Sequence, residues 1–420
     1  MRCDVISFNK RTLLPRQARR LLPPLLGLWA TLGPGVPALP ASADEAGSSV
    51  TLTEGALGLK STDDRFAIRL HGLIQADGAV FDQDRTELGN GTDMRNAKLI
   101  VKGHVQHDWG YKFQVNFAKE DNRQLEDIFL QYRGFRPTTI TVGNVKQPFS
   151  LAFLNGNRNA TFMEFAMIHE ALVPKRRIGL MAGSHGEHWT ARLGGFGNRV
   201  QDEDSAGDSG ASVVGRGVWT PVRSQRRLVL AGLAGQYRSL GDRHRVAIKS
   251  RPGTHVTNQR LVGFGPHTGF APITDARSVT AGDAQVAVVH GPLAVQGEFV
   301  HKRVGRKESH FDARGGYVQA SYFLTGESRA SAYRPGKGAF GAITPIHPYG
   351  AWQVALRYDT LALNDDGMQG GHAQNLTAGV NWYANRHVRF SANYIRIDAA
   401  RPGGPDNRAN AFAARAQLGF

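Results

Sequence analysis

The sequence predicts an all-β chain, closed as a transmembrane antiparallel β-barrel of 16 strands with an inward-folded constriction loop. Three observations predict it. Apolar and polar residues alternate with period two along most of the chain, as barrel strands require. Beyond the first 43 residues there is no apolar stretch long enough for a helix to cross a bilayer, which takes about 18–20 residues. The chain also ends on an alternating strand: Phe412, Ala414, Ala416, Leu418 and Phe420 share one face, and Ala413, Arg415, Gln417 and Gly419 share the other. In lipid no backbone group can be left unpaired, so a chain without spanning helices must close its strands on themselves.

The start of the chain agrees with the end. Residues 1–20 carry Arg2, Lys10, Arg11, Arg16, Arg19 and Arg20; an apolar run from Leu21 to Leu32 follows, then Ala41-Ser42-Ala43. This pattern is expected of a secretory signal peptide over 1–43. The segment 44–64 is expected to be an N-terminal periplasmic segment, and 65–420 the barrel. The only cysteine, Cys3, falls in the signal, so the remainder has no thiol for disulfide, metal or nucleophile chemistry.

Strands are expected near 65–81, 94–106, 110–119, 125–133, 138–147, 175–184, 187–196, 212–220, 225–238, 278–289, 292–303, 311–325, 349–363, 372–384, 387–399 and 409–420. Short links such as His107-Asp108-Trp109 and His290-Gly291 tend to alternate with long ones at 82–93, 148–174, 197–211, 239–277 and 400–408. The exception is 326–348, which is long although the count places it on the periplasmic side. Energy orients the faces. A Lys or Arg at the bilayer midplane costs about 2–4 kcal/mol, so Lys98, Lys102 and Lys112 belong to the lumen wall. Trp109, Tyr111, Trp352, Trp382, Tyr383 and Tyr394 stand near strand ends and suit interfacial girdles.

Two loops carry candidate chemistry. In 239–277, Arg243, Arg245, Lys249 and Arg251 share one parity, while Val246 and Ile248 share the other. In extended backbone such residues line one face about 7 Å apart. A row of this kind offers an anion successive shallow sites, and Arg forks match phosphate oxygens. The loop 148–174 contains Leu151, Phe153, Leu154, Phe162, Met163, Phe165 and Met167, too much apolar surface for water. It is expected to fold into the barrel and narrow it, with Arg158 at the constriction and Arg95 opening a strand beside it. A solvated charged loop and a loop packed on a neighbouring subunit are the plainer alternatives.

The formal charge is +16; removing the six cations and one acid of 1–43 leaves +11. For an exported chain, small anions are the expected partners rather than nucleic acid. No HExxH pair or Gly-x-Ser-x-Gly elbow is present, and Gly336-Lys337-Gly338 lacks the flanks of a phosphate loop. No catalytic residue, cofactor or metal is therefore expected. An outer-membrane barrel hydrolase would need a Ser-His pair on the lipid face, and none can be assigned. A soluble lectin-like sandwich would alternate as well, but would fractionate without detergent.

Several words carry a resemblance. Asp108-Trp109-Gly110-Tyr111-Lys112-Phe113, Thr161-Phe162-Met163-Glu164, Tyr322-Phe323-Leu324-Thr325-Gly326-Glu327, Arg357-Tyr358-Asp359 and Gly379-Val380-Asn381-Trp382-Tyr383-Ala384-Asn385 resemble the phosphate-selective porin O and P family. The resemblance implies a homotrimeric anion porin in the outer membrane of a Gram-negative bacterium, in contact with outer-membrane lipid, with phosphate as the best-known substrate. It also implies basic residues at a constriction. Here Arg95 and Arg158 fill two such places, whereas Asn96, Phe165, Leu73 and Phe153 stand at or near others. Phosphate block weaker than in the selective members is therefore expected. A general small-solute porin is the runner-up.

Overall fold

The computed structural model describes residues 48–53, 56–119, 124–200, 210–365, 367–401 and 406–420. The expected signal peptide lies outside the described residues. Sixteen antiparallel strands follow one another around a closed barrel. They are β1 (Phe66–Gln83), β2 (Gly91–Val105), β3 (Trp109–Asn116), β4 (Leu125–Tyr132), β5 (Thr139–Lys146), β6 (Arg176–His185), β7 (Trp189–Phe196) and β8 (Ser212–Arg223). The second half is β9 (Arg227–Ser239), β10 (Ala276–His290), β11 (Leu293–Arg306), β12 (His310–Phe323), β13 (Ala351–Asp365), β14 (Met368–Tyr383), β15 (Val388–Ala400) and β16 (Asn407–Gly419). No described helix is long and apolar enough to cross a membrane.

β16 closes the barrel against β1, with Gly419 opposite Leu73 and Ala409 opposite Gln83. Phe420 extends the closure. Its N–H donates to Gly72 O at 3.1 Å, and Gly72 N–H donates to Phe420 O at 3.0 Å. The Phe420 ring lies on Gly72, where a Cβ would stand 2.4 Å from the ring. Only glycine permits that approach.

Below Gly72, β1 runs on past the end of β16, and an exposed edge there would invite aggregation. The segment expected to be a plain periplasmic extension covers it. Strands Ser48–Thr53 and Ala56–Ser61 form a hairpin, and the second pairs with β1 from Leu57–Leu70 to Lys60–Ala67.

Alternation resolves the faces as charge predicted. On β16, Phe412 and Leu418 face outward, while Arg415 and Gln417 are buried inside. Trp352, Trp382 and Phe390 stack outward in a row, with ring centroids 5.6 Å apart at each step. Tyr383 departs from the girdle expectation. It follows Trp382, so it points into the barrel and packs against Phe323 at 5.9 Å.

Three of the described connections fold into the lumen. The loop 147–175 carries two short helices, α1 (Leu151–Asn155) and α2 (Met167–Ala171). The loop 240–275 enters as a small hairpin, Ile248–Ser250 against Val262–Phe264, and buries Ile248, Val262 and Phe264. The long segment 324–350 enters from the opposite rim, where the C-terminus lies. It turns through Tyr333–Arg334 and Ala339–Phe340, and Phe340 N–H donates to Asn155 Oδ1 at 2.8 Å. Its length is explained by that inward path.

Candidate functional site: the lumen constriction

The loop 147–175 is fixed to one wall by its backbone. Buried peptide groups must be paired, and β11 to β16 supply the partners. The Glu298 carboxylate accepts from Leu151 N–H at 3.0 Å and Ala152 N–H at 2.8 Å, satisfying the first turn of α1. Asp359 accepts from Met167 N–H at 2.9 Å at the start of α2. Arg357 donates to Glu164 O at 2.8 Å, Arg389 to Ala160 O at 2.7 Å, and Asn381 to Thr161 O at 2.8 Å. The loop is thus held against β11–β16, facing the ionic wall of β2–β6.

Arg95 sits at this constriction because of a bulge. Gln75 pairs with Asn96 and Ala76 with Met94, leaving Arg95 as the extra residue. Alternation alone would aim Arg95 and Asn96 oppositely; a bulge re-aims one of them. Met94 faces out, Asn96 is buried inward, and Arg95 reaches Glu164 with Nε–Oε1 2.6 Å and Nη2–Oε2 3.0 Å. Glu164 also accepts from Arg415 at 2.7 Å, and Arg415 clasps Asp77 at 2.7 and 2.6 Å. His255, from the loop 240–275, places Nε2 3.3 Å from Glu164. Burial alone would raise the Glu164 carboxyl; Arg95 first, then His255 and Arg415, hold it well below the ordinary range. Burial, then Arg95, keeps His255 well below its ordinary value. Two guanidiniums and two carboxylates therefore cancel here.

The facing wall keeps more cations than acids. Lys98 and Lys119 share Glu126 at 2.9 and 2.8 Å. Lys112 and Arg176 share Asp127. Lys146 donates to Phe153 O at 2.6 Å and lies 4.3 Å from the Phe153 ring centroid. Lys102 stands between Arg69 and Lys112 in register, so three cations occupy one level on adjacent strands. Like charges opposite one another repel across a sheet, and Asp127 offsets the Lys112 end of the row.

Arg158 takes a third place. Its Nη2 donates to Gly419 O at 2.9 Å and Arg386 O at 3.3 Å, near the rim where the chain ends. A Cβ on Gly419 would stand 2.8 Å from Arg158 Nε, so the glycine makes room for the guanidinium. A small pocket opens beside it, lined by Arg386, His387, Arg389, Tyr383, Gln417 and Gly341. Arg334 lies over Gly341. Burial, then Arg334, Arg386 and Arg389, push the Arg158 guanidinium down. None of these four arginines forms an ion pair with a carboxylate among the described residues.

The arginine row of 240–275 is extended only in part. Val246 bridges Ile273, and Ile248–Ser250 is a strand, so Val246, Ile248 and Ser250 face the packed side. Arg245 is exposed. Lys249 donates to Pro266 O at 3.0 Å. Arg251 is drawn onto Glu170 at 2.8 Å, which Arg260 also reaches at 3.2 Å. Arg243 lies before the extended stretch, in the turn that opens the loop.

Alternation around a closed sheet, with loops folded inward and charges lining the interior, defines an outer-membrane porin. The chain belongs to the phosphate-selective porin O and P family, whose model matches residues 68–420. It is 27% identical to Porin O of Pseudomonas aeruginosa, over 88% of this chain and 92% of that protein. It is 30% identical to an uncharacterized protein of Caulobacter vibrioides, over 100% of this chain and 86% of that one. Among solved structures, the outer membrane channel DcaP of Acinetobacter baumannii shares the fold with a TM-score of 0.52 at 11% identity, covering 86% of this chain and 99% of that one. The anion-selective porin from Comamonas acidovorans gives 0.52 at 10% identity, covering 84% and 100%.

The sequence reading missed Glu164 as the neutralising partner of Arg95, together with Arg415, Asp77, His255, Arg334, Arg386 and Arg389. Arg415 alone had a visible signal: an arginine on the inner face of a strand otherwise built of small residues.

Proposed function

We propose that the protein is an anion-selective channel of the outer membrane, exported through a signal peptide, with both termini on the periplasmic side. Phosphate is a weak rather than a preferred ligand. The observation that supports this reading is the group Arg158, Arg334, Arg386 and Arg389 beside a water-sized opening, with no ion-paired carboxylate among the described residues. Fixed positive charge in a low-dielectric passage concentrates anions and excludes cations. Lys98, Lys102 and Lys112 extend the positive wall, and of the row Arg243, Arg245, Lys249 and Arg251 the exposed Arg245, with Arg243 and Lys249, gathers anions at the mouth, while Arg251 is held by Glu170.

Phosphate is strongly hydrated and enters a narrow site only where fixed donors replace its water. At Arg95 those donors already face Glu164. Leu73 and Phe153 are buried and apolar, and Phe165 packs on His169 at 5.4 Å. Most of the dehydration cost therefore stays uncompensated at the constriction. Replacing Arg95 and Arg158 together by Ala should remove phosphate block of chloride current in planar bilayers while leaving chloride conductance largely intact. Block that persists in the double variant would place the phosphate site elsewhere.

The subunit is proposed to act as a homotrimer. β3, β4, β5 and β7 have 8 residues each, whereas β10 to β16 have 13 to 16. A membrane-crossing strand needs about 9–11 residues, so this low wall is too short to face hydrocarbon alone. Its outward residues Phe113, Leu130, Val142 and Leu193 are nonetheless apolar and exposed. Another copy of the subunit supplies a cover of the right chemistry.

A further inference from the structure

We propose that the outer face of the barrel carries a transition-metal site of the zinc class at the far rim, built by His310, Asp312 and Asp365.

These residues face away from the lumen. His310 and Asp312 alternate on β12 with Phe311 and Ala313, both fully buried inside the barrel. His301 alternates on β11 with Val300, also fully buried, and with Lys302, which donates inward to Ala171 O at 3.2 Å. The cluster is therefore independent of the ion pathway. The ladder between β12 and β13 ends at Arg314–Ala362. Above it a register shift between Ala362 and Asn364 turns the end of β13. Asp365 thereby reaches β12, and its Oδ2 accepts from Asp312 N–H at 2.6 Å.

The donor spacing fits one ion. Zinc bonds nitrogen and oxygen at about 2.0–2.2 Å, which sets tetrahedral ligand atoms roughly 3.3–3.5 Å apart. Ligand atoms of His310, Asp312 and Asp365 all lie within 4.8 Å of one another. His310 Nε2 is 3.7 Å from Asp312 Oδ2, and His301 Nε2 is 3.4 Å from Asp312 Oδ1. An imidazole with two carboxylates, and a second imidazole beside Asp312, suits zinc, cobalt, nickel or copper, whereas calcium and magnesium demand more oxygens. The three residues come from two hairpins, so an ion would clamp β11–β12 to β13–β14.

One cation already competes. Arg303 clasps Asp312 through Nε–Oδ1 and Nη2–Oδ2, both 2.8 Å, and its side chain is half exposed. Metal entry must displace this guanidinium from at least one oxygen. The competition gives the proposal a signature that generic divalent binding lacks: removing Arg303 should strengthen the site.

The test is Co2+ titration of detergent-purified full-length protein without a histidine tag, read by visible d–d absorption, with Zn2+ then added as competitor. The expected result is a cobalt band that Zn2+ abolishes and millimolar Mg2+ does not. His310→Ala and, separately, Asp365→Asn should weaken Co2+ binding at least tenfold, and Arg303→Gln should tighten it several-fold. Circular dichroism identifies any variant that has not folded, and the other then decides. No cobalt band in the native protein, equal displacement by Mg2+, or unchanged affinity in a folded His310→Ala or Asp365→Asn variant would overturn the proposal.

Discussion

A single carboxylate decides what the constriction offers an anion. Glu164 stands between Arg95 and Arg415 and takes up donors that would otherwise face the lumen. Glu164→Gln removes its charge and keeps its shape, so Arg95 and Arg415 should become available to a ligand. We expect phosphate to block chloride current roughly tenfold more strongly in this variant, about 1.4 kcal/mol of added binding; a phosphate titration in planar bilayers measures it. The same residue sets an acid limb. Its folded-state pKa is depressed, so its stabilisation is present above the ordinary carboxylate range and is lost as pH falls below it. Thermal unfolding followed between pH 6 and pH 3 should therefore show a shallower loss of stability in Glu164→Gln than in the native protein. At the seam, Gly72→Val would drive a branched side chain into the Phe420 ring. Either that change or deletion of Phe420 should lower the yield of assembled barrel in a membrane fraction; normal yield from both would remove the seam from the account.

At the scale of elements, the inward loop is held by its wall rather than by its own helices, since α1 and α2 have five residues each. Glu298→Ala strips the acceptor from the first turn of α1 and leaves buried N–H groups unpaired, at a cost of about 1–3 kcal/mol each. The expected readout is a lower unfolding temperature together with flickering single-channel current. The segment 324–350 makes a second prediction. Lys337 is exposed within the lumen, yet the protein around it, then Lys112, Arg334 and Arg192, push it down to about 8. A lysine with a lowered pKa is charged below that value and neutral above it. Anion selectivity should therefore fall between pH 7 and pH 9, and Lys337→Met should flatten that dependence; reversal potentials across the pH range record it. These elements also show what the sequence made legible. All sixteen strands announced themselves through alternation, because lipid on one side and water on the other impose period two on every strand. The inward course of 147–175 was readable from its apolar content. That 324–350 also turns inward was not, because its anchors are backbone carbonyls: Gly338 O accepts from Arg216 at 2.8 Å and Pro335 O from Thr190 at 2.6 Å, and neither acceptor leaves a trace in residue type. The pairing of Arg95 with Glu164 was equally hidden, since it depends on a one-residue bulge and on a loop whose path is set by distant strands.

For the whole molecule, the charge excess and the barrel geometry point the same way. The low wall of β3, β4, β5 and β7 leaves the isolated subunit poorly matched to a bilayer, so detergent extraction should yield a trimer by light scattering, and a monomer would contradict the proposed assembly. The interior combines a charge-balanced cluster at Arg95, a wall around Lys98, Lys102 and Lys112 with more cations than acids among the described residues, and an arginine group at Arg158 with no ion-paired carboxylate among them. We propose a net positive potential along the path. It is tested most directly by the reversal potential of the purified protein in a planar bilayer across a KCl gradient. The expected potential is displaced toward the chloride equilibrium value and is reduced when Arg158 and Arg386 are both replaced by Ala. A potential displaced toward the potassium value in the native protein would contradict it.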